Sequence, residues 1–183
     1  MGQPKQLLLV DGAPLLLRTV RAALSSPAWP IVVVLGNAAE QILPLLARLP
    51  VQLVINSKWP EGMGSSITAG LEILDRFSSA LDGALIALGD QPHFSALTIS
   101  ALGTAFRGRD EIAAARYSGI VGAPAIFGRS YFPELLTLEP KQGAQYLLRS
   151  HAGHVTAVDL PNLAVDLDTP EDYQRFLEAP FSP

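Results

Sequence analysis

Three stretches of the chain place polar side chains directly after apolar runs, on backbone able to present them to a ligand. The first is Leu88-Gly89-Asp90-Gln91-Pro92, which follows the run Ala84 to Leu88. Gly89 before it and Pro92 after it would project Asp90 from the end of a buried strand. A hard cation such as Mg²⁺ prefers carboxylate and phosphate oxygens in octahedral geometry, so one or two carboxylates plus a triphosphate form a natural site. The competing role is plainer, because Asp also caps turns and helices. The second stretch runs from Asn56 through Lys58, Trp59, Glu61, Gly62, Met63 and Gly64 to Ser65 and Ser66. It starts at a strand end and finishes at a helix start, where glycines let N–H groups come close and the dipole favours phosphate or ribose oxygens. Its alternative is an ordinary flexible loop with a serine N-cap. The third is Val165-Asp166-Leu167-Asp168-Thr169-Pro170-Glu171-Asp172. In extended chain Asp166 and Asp168 point to the same side, and a second carboxylate from a distant segment is what a metal-assisted phosphoryl-type site needs. The alternative is an acidic helix start that complements the dipole.

The elements that must hold these residues follow from hydrophobic patterning. Ile31 to Leu35, Val51 to Ile55 and Ala84 to Leu88 are fully apolar or nearly so, as strands buried on both faces are. Ile112 to Tyr117 and Val155 to Val158 are weaker strand candidates. Between them, Leu16, Val20 and Leu24 share a helical face, as do Ile67, Leu71 and Leu74. Ser95 fits an N-cap for a helix that buries Ile99, Leu102 and Phe106. Thr169-Pro170-Glu171-Asp172 reads as N-cap, N1 proline and acidic first turn, with Tyr173, Phe176 and Leu177 turned inward. Strands alternating with helices predict an α/β fold with a mostly parallel sheet. In such sheets ligands bind beyond the carboxyl ends of the strands, which is where the three polar stretches fall. With no repeat or linker in evidence, residues 1–183 read as one domain.

Composition narrows the chemistry. The chain has 183 residues, 49% of them hydrophobic and 16% charged, which excludes a disordered or strongly solvated chain. Its net charge of -4 gives no basic surface for nucleic acid. The absence of cysteine removes disulfides, thiolate metal sites and a cysteine nucleophile. No apolar run approaches the roughly 20 residues that span a bilayer, and the first residues have no signal-peptide pattern. The expected location is the cytoplasm.

Taken in order, Gln3-Pro4-Lys5-Gln6-Leu7-Leu8, Asn56 to Ser66, Gly89-Asp90-Gln91-Pro92, Gly122-Ala123-Pro124-Ala125-Ile126-Phe127 and Asp166 to Asp172 resemble the MobA-like nucleoside triphosphate transferases, and among them the molybdenum cofactor cytidylyltransferases. The resemblance implies a Rossmann-like three-layer α/β/α sandwich. It also implies transfer of CMP from CTP to a molybdopterin-type cofactor with release of pyrophosphate, in service of a molybdenum hydroxylase apo-enzyme. By the same resemblance Asp90 is the catalytic Mg²⁺ ligand and Asp168, rather than Asp166, its partner. Lys5 neutralises the triphosphate. Asn56, Glu61, Gly62, Met63, Ser65, Ser66 and Gly89 line the nucleotide pocket, while Gly122 and Pro124 border the acceptor. This assignment is chemically coherent, since phosphoryl-type transfer depends on positioning and charge neutralisation and needs no protein nucleophile.

The family pattern normally opens with an apolar strand and a Gly-rich loop ending in Arg-Met-Gly, whereas this chain opens at Met1-Gly2. The expectation is therefore a sheet without its N-terminal central strand and glycine loop, less stable and less active than a version extended upstream. Alternatives within the class are another nucleotide, or a sugar or polyol phosphate as acceptor. An alternative of a different class is a non-catalytic molybdenum cofactor carrier or insertion factor. His93, His151 and His154 lack metal-ligand spacing. Neither a Walker A sequence nor a serine hydrolase elbow is present.

Overall fold

In the computed structural model, residues 4–178 are described. After a 3₁₀ turn at Lys5–Leu7, the chain forms a small hairpin of β1 (Leu9–Val10) and β2 (Ala13–Pro14). It then enters α1 (Leu15–Leu24), which buries Leu16 and Val20 on one face and Leu15 on an adjoining one. The apolar run after it becomes β3 (Val32–Leu35), followed by α2 (Ala39–Leu46) and β4 (Gln52–Ile55). β3 and β4 pair in parallel, with Val33 opposite Leu53 and Leu35 opposite Ile55.

A second sheet follows. α3 (Met63–Phe77) leads to β5 (Gly83–Ile86), α4 (Ala96–Ala105), β6 (Ile112–Tyr117), β7 (Ile120–Gly128), α5 (Phe132–Leu136), α6 (Ala144–Ser150), β8 (Val155–Asp159) and α7 (Pro170–Glu178). The strand order is β5–β7–β6–β8. β7 runs antiparallel to both β5 and β6, and β8 runs parallel to β6. Three of the four strands thus point the same way, and β7 alone is reversed. The expected α/β class, a sheet flanked by helices, is what forms. Among the described residues no strand links β3–β4 to the four-stranded sheet, so β5 carries a strand neighbour on one side only.

Helix ends follow the local chemistry. Ser95 caps α4 through its side chain, and Thr98 returns the bond to the Ser95 N–H, a closed capping box. Thr169 and Asp172 do the same for α7: the Asp172 carboxylate accepts from the Thr169 N–H at 2.9 Å, and the Asp172 N–H donates to the Thr169 hydroxyl at 3.1 Å. Two inward side chains need correction. Phe106 lies at the C-cap of α4 and is only partly buried. Leu177 is 48% exposed, because it falls about 100° around the helix from Phe176.

Three apolar clusters hold these layers. The largest packs Ile112, Ala114, Ala125 and Phe127 of the sheet against Leu71, Phe132, Leu135 and Leu147 of the helices. A second joins Leu16 and Val20 to Val33, Leu35, Ile42 and Leu46. The third is small but decides the geometry of the site. Leu8, Val10 and Leu15 enclose Leu167, with Tyr173 and Phe176 packed alongside. Leu167 is 1% exposed although Asp166 and Asp168 on either side are exposed. The alternation of an extended segment turns one residue inward and its neighbours outward.

Candidate active site

The strand directions fix which end of the sheet carries chemistry. β5, β6 and β8 all terminate at one edge, where the segments Gly89–Pro92, Tyr117–Gly119 and Asp159–Asp168 emerge and β7 begins. Lys5 arrives there from the opposite end of the sequence, because the Leu8–Leu15–Leu167 cluster holds its segment beside Asp168. The Lys5 ammonium donates to the Asp168 carboxylate across 163 positions of sequence. Asp90 and Asp166 lie close enough to both for their charges to interact.

The electrostatics of this group follow from burial and sign. Burial pushes the Asp90 carboxyl above the ordinary value of 3.8, and Lys5 pulls it back only in part. The Lys5 hydrogen bond holds exposed Asp168 below the usual carboxylate range. Lys5 itself is raised, chiefly by the bond to Asp168. A single ammonium thus sits among three carboxylates, in a place that attracts cations. Among the described residues no three His, Asp or Glu side chains come close enough to cage an ion. One or two carboxylates open to water and phosphate is nonetheless the sparse donor set that Mg²⁺ accepts, so the residues fit a divalent cation shared with a polyphosphate.

This has a pH consequence. A protonated carboxyl is a poor ligand, so divalent-cation binding should weaken as pH falls through a value above 3.8, earlier than for an ordinary aspartate. Mn²⁺ titrations across pH would follow that limb. Asp90→Asn should abolish it, and an unchanged limb in that variant would contradict the assignment.

The second stretch is more tightly organised than an ordinary flexible loop. Asn56, 6% exposed, donates from Nδ2 to the hydroxyls of Ser65 and Ser66 at 2.8 and 3.0 Å and accepts from the Lys58 N–H at 2.9 Å. Ser65 also donates from its hydroxyl to a main-chain carbonyl of the loop, Gly62 O at 2.8 Å being the shorter contact. α3 begins at Met63, two residues before the serines, and Met63 is 54% exposed. Glu61 closes a 3₁₀ turn and is exposed. The glycines serve the fold as well as any ligand. Gly62 has φ 133°, and a Cβ there would stand 2.3 Å from the Pro140 carbonyl oxygen, which also accepts from the Gly64 N–H at 2.9 Å. Asn56→Ala leaves two hydroxyls without their shared donor and should cost about 1–3 kcal/mol. Chemical denaturation of the variant checks this.

Around Gly122 and Pro124, expected from the resemblance to border the acceptor, the sequence pattern missed a strand. Gly122 and Pro124 sit inside β7, where a glycine and a proline obscured the period-2 signal; Pro is tolerated because the register with β6 shifts between Ala114 and Ala115. Gly89, at the turn before Asp90, lets α1 approach: a Cβ there would lie 2.8 Å from the Leu16 Cδ1. Three polar side chains absent from the sequence-based set converge on residues 121–123. Gln91 donates from Nε2 to the Ala123 carbonyl at 3.1 Å, Tyr117 donates to the same oxygen at 2.8 Å, and Gln145 donates from Nε2 to the Val121 carbonyl at 2.8 Å. Only Gln91 carried a signal, its place beside Asp90. Two shallow cavities of about 410 and 390 Å³ flank Asp159 and Pro161 on the same edge; neither is lined by Lys5, Asp90 or Asp168.

Fold and site together define a nucleotidyltransferase, and residues 1–155 match the MobA-like NTP transferase domain, so the chain belongs to that family. It is 30% identical over 185 residues to the nicotine blue oxidoreductase of Paenarthrobacter nicotinovorans, with 95% of this chain and 88% of that one covered. The crystal structure of a homologue of Mycobacterium tuberculosis Rv0371c, from Mycobacterium sp. strain JC1, superposes with a TM-score of 0.79 at 28% identity, covering 97% and 88% of the two chains. M. tuberculosis Rv0371c in complex with manganese gives a TM-score of 0.73 at 30% identity, covering 97% and 94%. No helix among the described residues is long and apolar enough to cross a membrane.

Proposed function

We propose that this chain is a single-domain cytoplasmic cytidylyltransferase that moves CMP from CTP to the phosphate of a molybdopterin-type cofactor, with Mg²⁺ as its metal. The observation that carries the reading is the meeting of Lys5, Asp90 and Asp168, from three distant parts of the chain, at the carboxyl edge of the sheet. An oxygen of the acceptor phosphate attacks the α-phosphorus of CTP, the bond to the β-phosphate oxygen breaks, and pyrophosphate leaves with the electron pair. The attacking phosphate is already ionised near neutral pH, so no side chain need remove its proton. Asp90 and Asp168 would hold the divalent cation, which neutralises charge on the phosphates. Lys5 exchanges part of its contact with Asp168 for the triphosphate. Asn56, Glu61, Gly62, Met63, Ser65, Ser66 and Gly89 line the nucleotide side, and Gly122 and Pro124 the acceptor side. Manganese in the Rv0371c complex supports a divalent cation in this fold.

The test is pyrophosphate release on mixing the protein with CTP, Mg²⁺ and molybdopterin. Release that depends on all three is expected, and a sugar or polyol phosphate that supports faster release would redirect the acceptor assignment. A second reading has a specific observation behind it, namely the 30% identity to nicotine blue oxidoreductase, since one fold hosts several chemistries. Oxidation or reduction of nicotine blue by the protein, without pyrophosphate release, would favour it. A pure cofactor carrier would release no pyrophosphate and convert no dye.

A further inference from the structure

Gln91 is 9% exposed and lies next to Asp90 in the segment that leaves β5. Its Nε2 reaches across to the Ala123 carbonyl at 3.1 Å, at the start of β7. That carbonyl also accepts from the Tyr117 hydroxyl at 2.8 Å, so both of its lone pairs are used. The amide cannot be turned around, because Oε1 would then face another acceptor. In the orientation that Ala123 dictates, Oε1 is buried and has no partner among the described residues. An amide that makes one buried bond and leaves one buried oxygen unpaired is a poor choice for stability, since an apolar side chain of the same shape avoids both desolvation penalties. The stability gained from this bond is therefore small.

What it does is join two parts of the site. The loop that carries Asp90 is pinned to the strand that carries Gly122, Ala123 and Pro124. Gln91 also accepts at its own carbonyl from the Phe94 N–H at 3.2 Å, which closes the turn beyond Asp90. We infer that Gln91 is a positioning residue, holding the Asp90 loop in fixed register with the acceptor strand through the Ala123 carbonyl. The inference rests on the nucleotidyltransferase reading above and goes beyond it. In this role Gln91 acts through the Ala123 carbonyl, setting the distance between metal-side and acceptor-side groups. Geometry at that scale matters, because a displacement of about 1 Å at a reacting centre can cost roughly a hundredfold in rate.

The experiment uses Gln91→Met, which keeps the shape and removes both polar atoms, with Tyr117→Phe as a companion that removes the other donor to the same carbonyl. Three quantities are read: Tm, hydrogen exchange of the 87–95 segment, and the kinetics of pyrophosphate release. For Gln91→Met we expect a Tm at or above that of the parent, faster exchange confined to 87–95, and kcat lowered roughly tenfold to a hundredfold with the KM for CTP changed less than about twofold. Tyr117→Phe leaves the Gln91–Ala123 bond in place but removes the hydroxyl that Gln91 also approaches, so it should raise the 87–95 exchange less than Gln91→Met does. A lowered Tm with kcat in proportion to the folded fraction would assign Gln91 a structural role and overturn the inference. Parent-like exchange and kcat would overturn it too. A parent protein that releases no pyrophosphate overturns the functional reading instead, while the exchange of 87–95 still tests the pinning by itself.

Discussion

Asp90→Ala is expected to lower pyrophosphate release from CTP by roughly a thousandfold, the scale of losing a group that stabilises charge in a transition state. The expectation comes from position. Asp90 is the partly buried carboxylate of the group, and burial makes its charged form unfavourable. A cation relieves that cost, which ties its binding to this residue more than to exposed Asp168 or Asp166. The same burial predicts that the variant folds normally, since the alanine removes a poorly solvated carboxylate. Activity and Tm should separate: turnover falls and Tm does not. Undiminished turnover would remove Asp90 from the chemistry.

Leu167→Ala should be costly in both respects. The side chain is 1% exposed and packs with Leu8, Val10 and Leu15. Truncating a buried leucine costs about 2–5 kcal/mol, depending on how far the cavity collapses. This cluster also joins the two ends of the described chain, holding Asp168 to Lys5, with Tyr173 adding a bond from its hydroxyl to the Leu9 carbonyl at 2.6 Å. Loosening it frees the Asp168 segment before it unfolds the sheet. Turnover measured well below the Tm should therefore fall more than the folded fraction does. Loss in step with unfolding would mean that Leu167 only supports the core.

Much of this was legible because the signals are local. Val32 to Leu35 and Gln52 to Ile55 form strands because runs rich in β-branched and apolar residues favour extended chain. But β4 is not buried on both faces as its run predicts: Gln52 is exposed and Ile55 is 61% exposed, with no strand beyond β4 to cover it among the described residues. Ser95 and Thr169 start helices because their side chains satisfy orphan N–H groups. The polar residues after strands were readable for the same reason, since chain direction puts them at one edge of the sheet. What escaped is non-local. β7 hides behind Gly122 and Pro124, and its reversed direction depends on a hairpin at Ser118–Gly119, where both residues have positive φ. α2 carries Pro44 in its interior, a residue that argues against a helix until tertiary packing overrides it. In the site, Asp166 and Asp168 looked equivalent by spacing. Burial of Leu167 turns both outward, and only the approach of Lys5 separates them. Gln91 and Tyr117 could not be paired from sequence at all, because their meeting point is a main-chain carbonyl.

The account stands on two carboxylates sharing one ion. Its most direct test is a crystal structure with CTP and Mn²⁺, read at the manganese anomalous edge. A peak bridging the CTP phosphates and lying about 2 Å from a carboxylate oxygen of both Asp90 and Asp168 is the predicted result. A peak bound by neither residue, or CTP seated with its phosphates away from both, would contradict it.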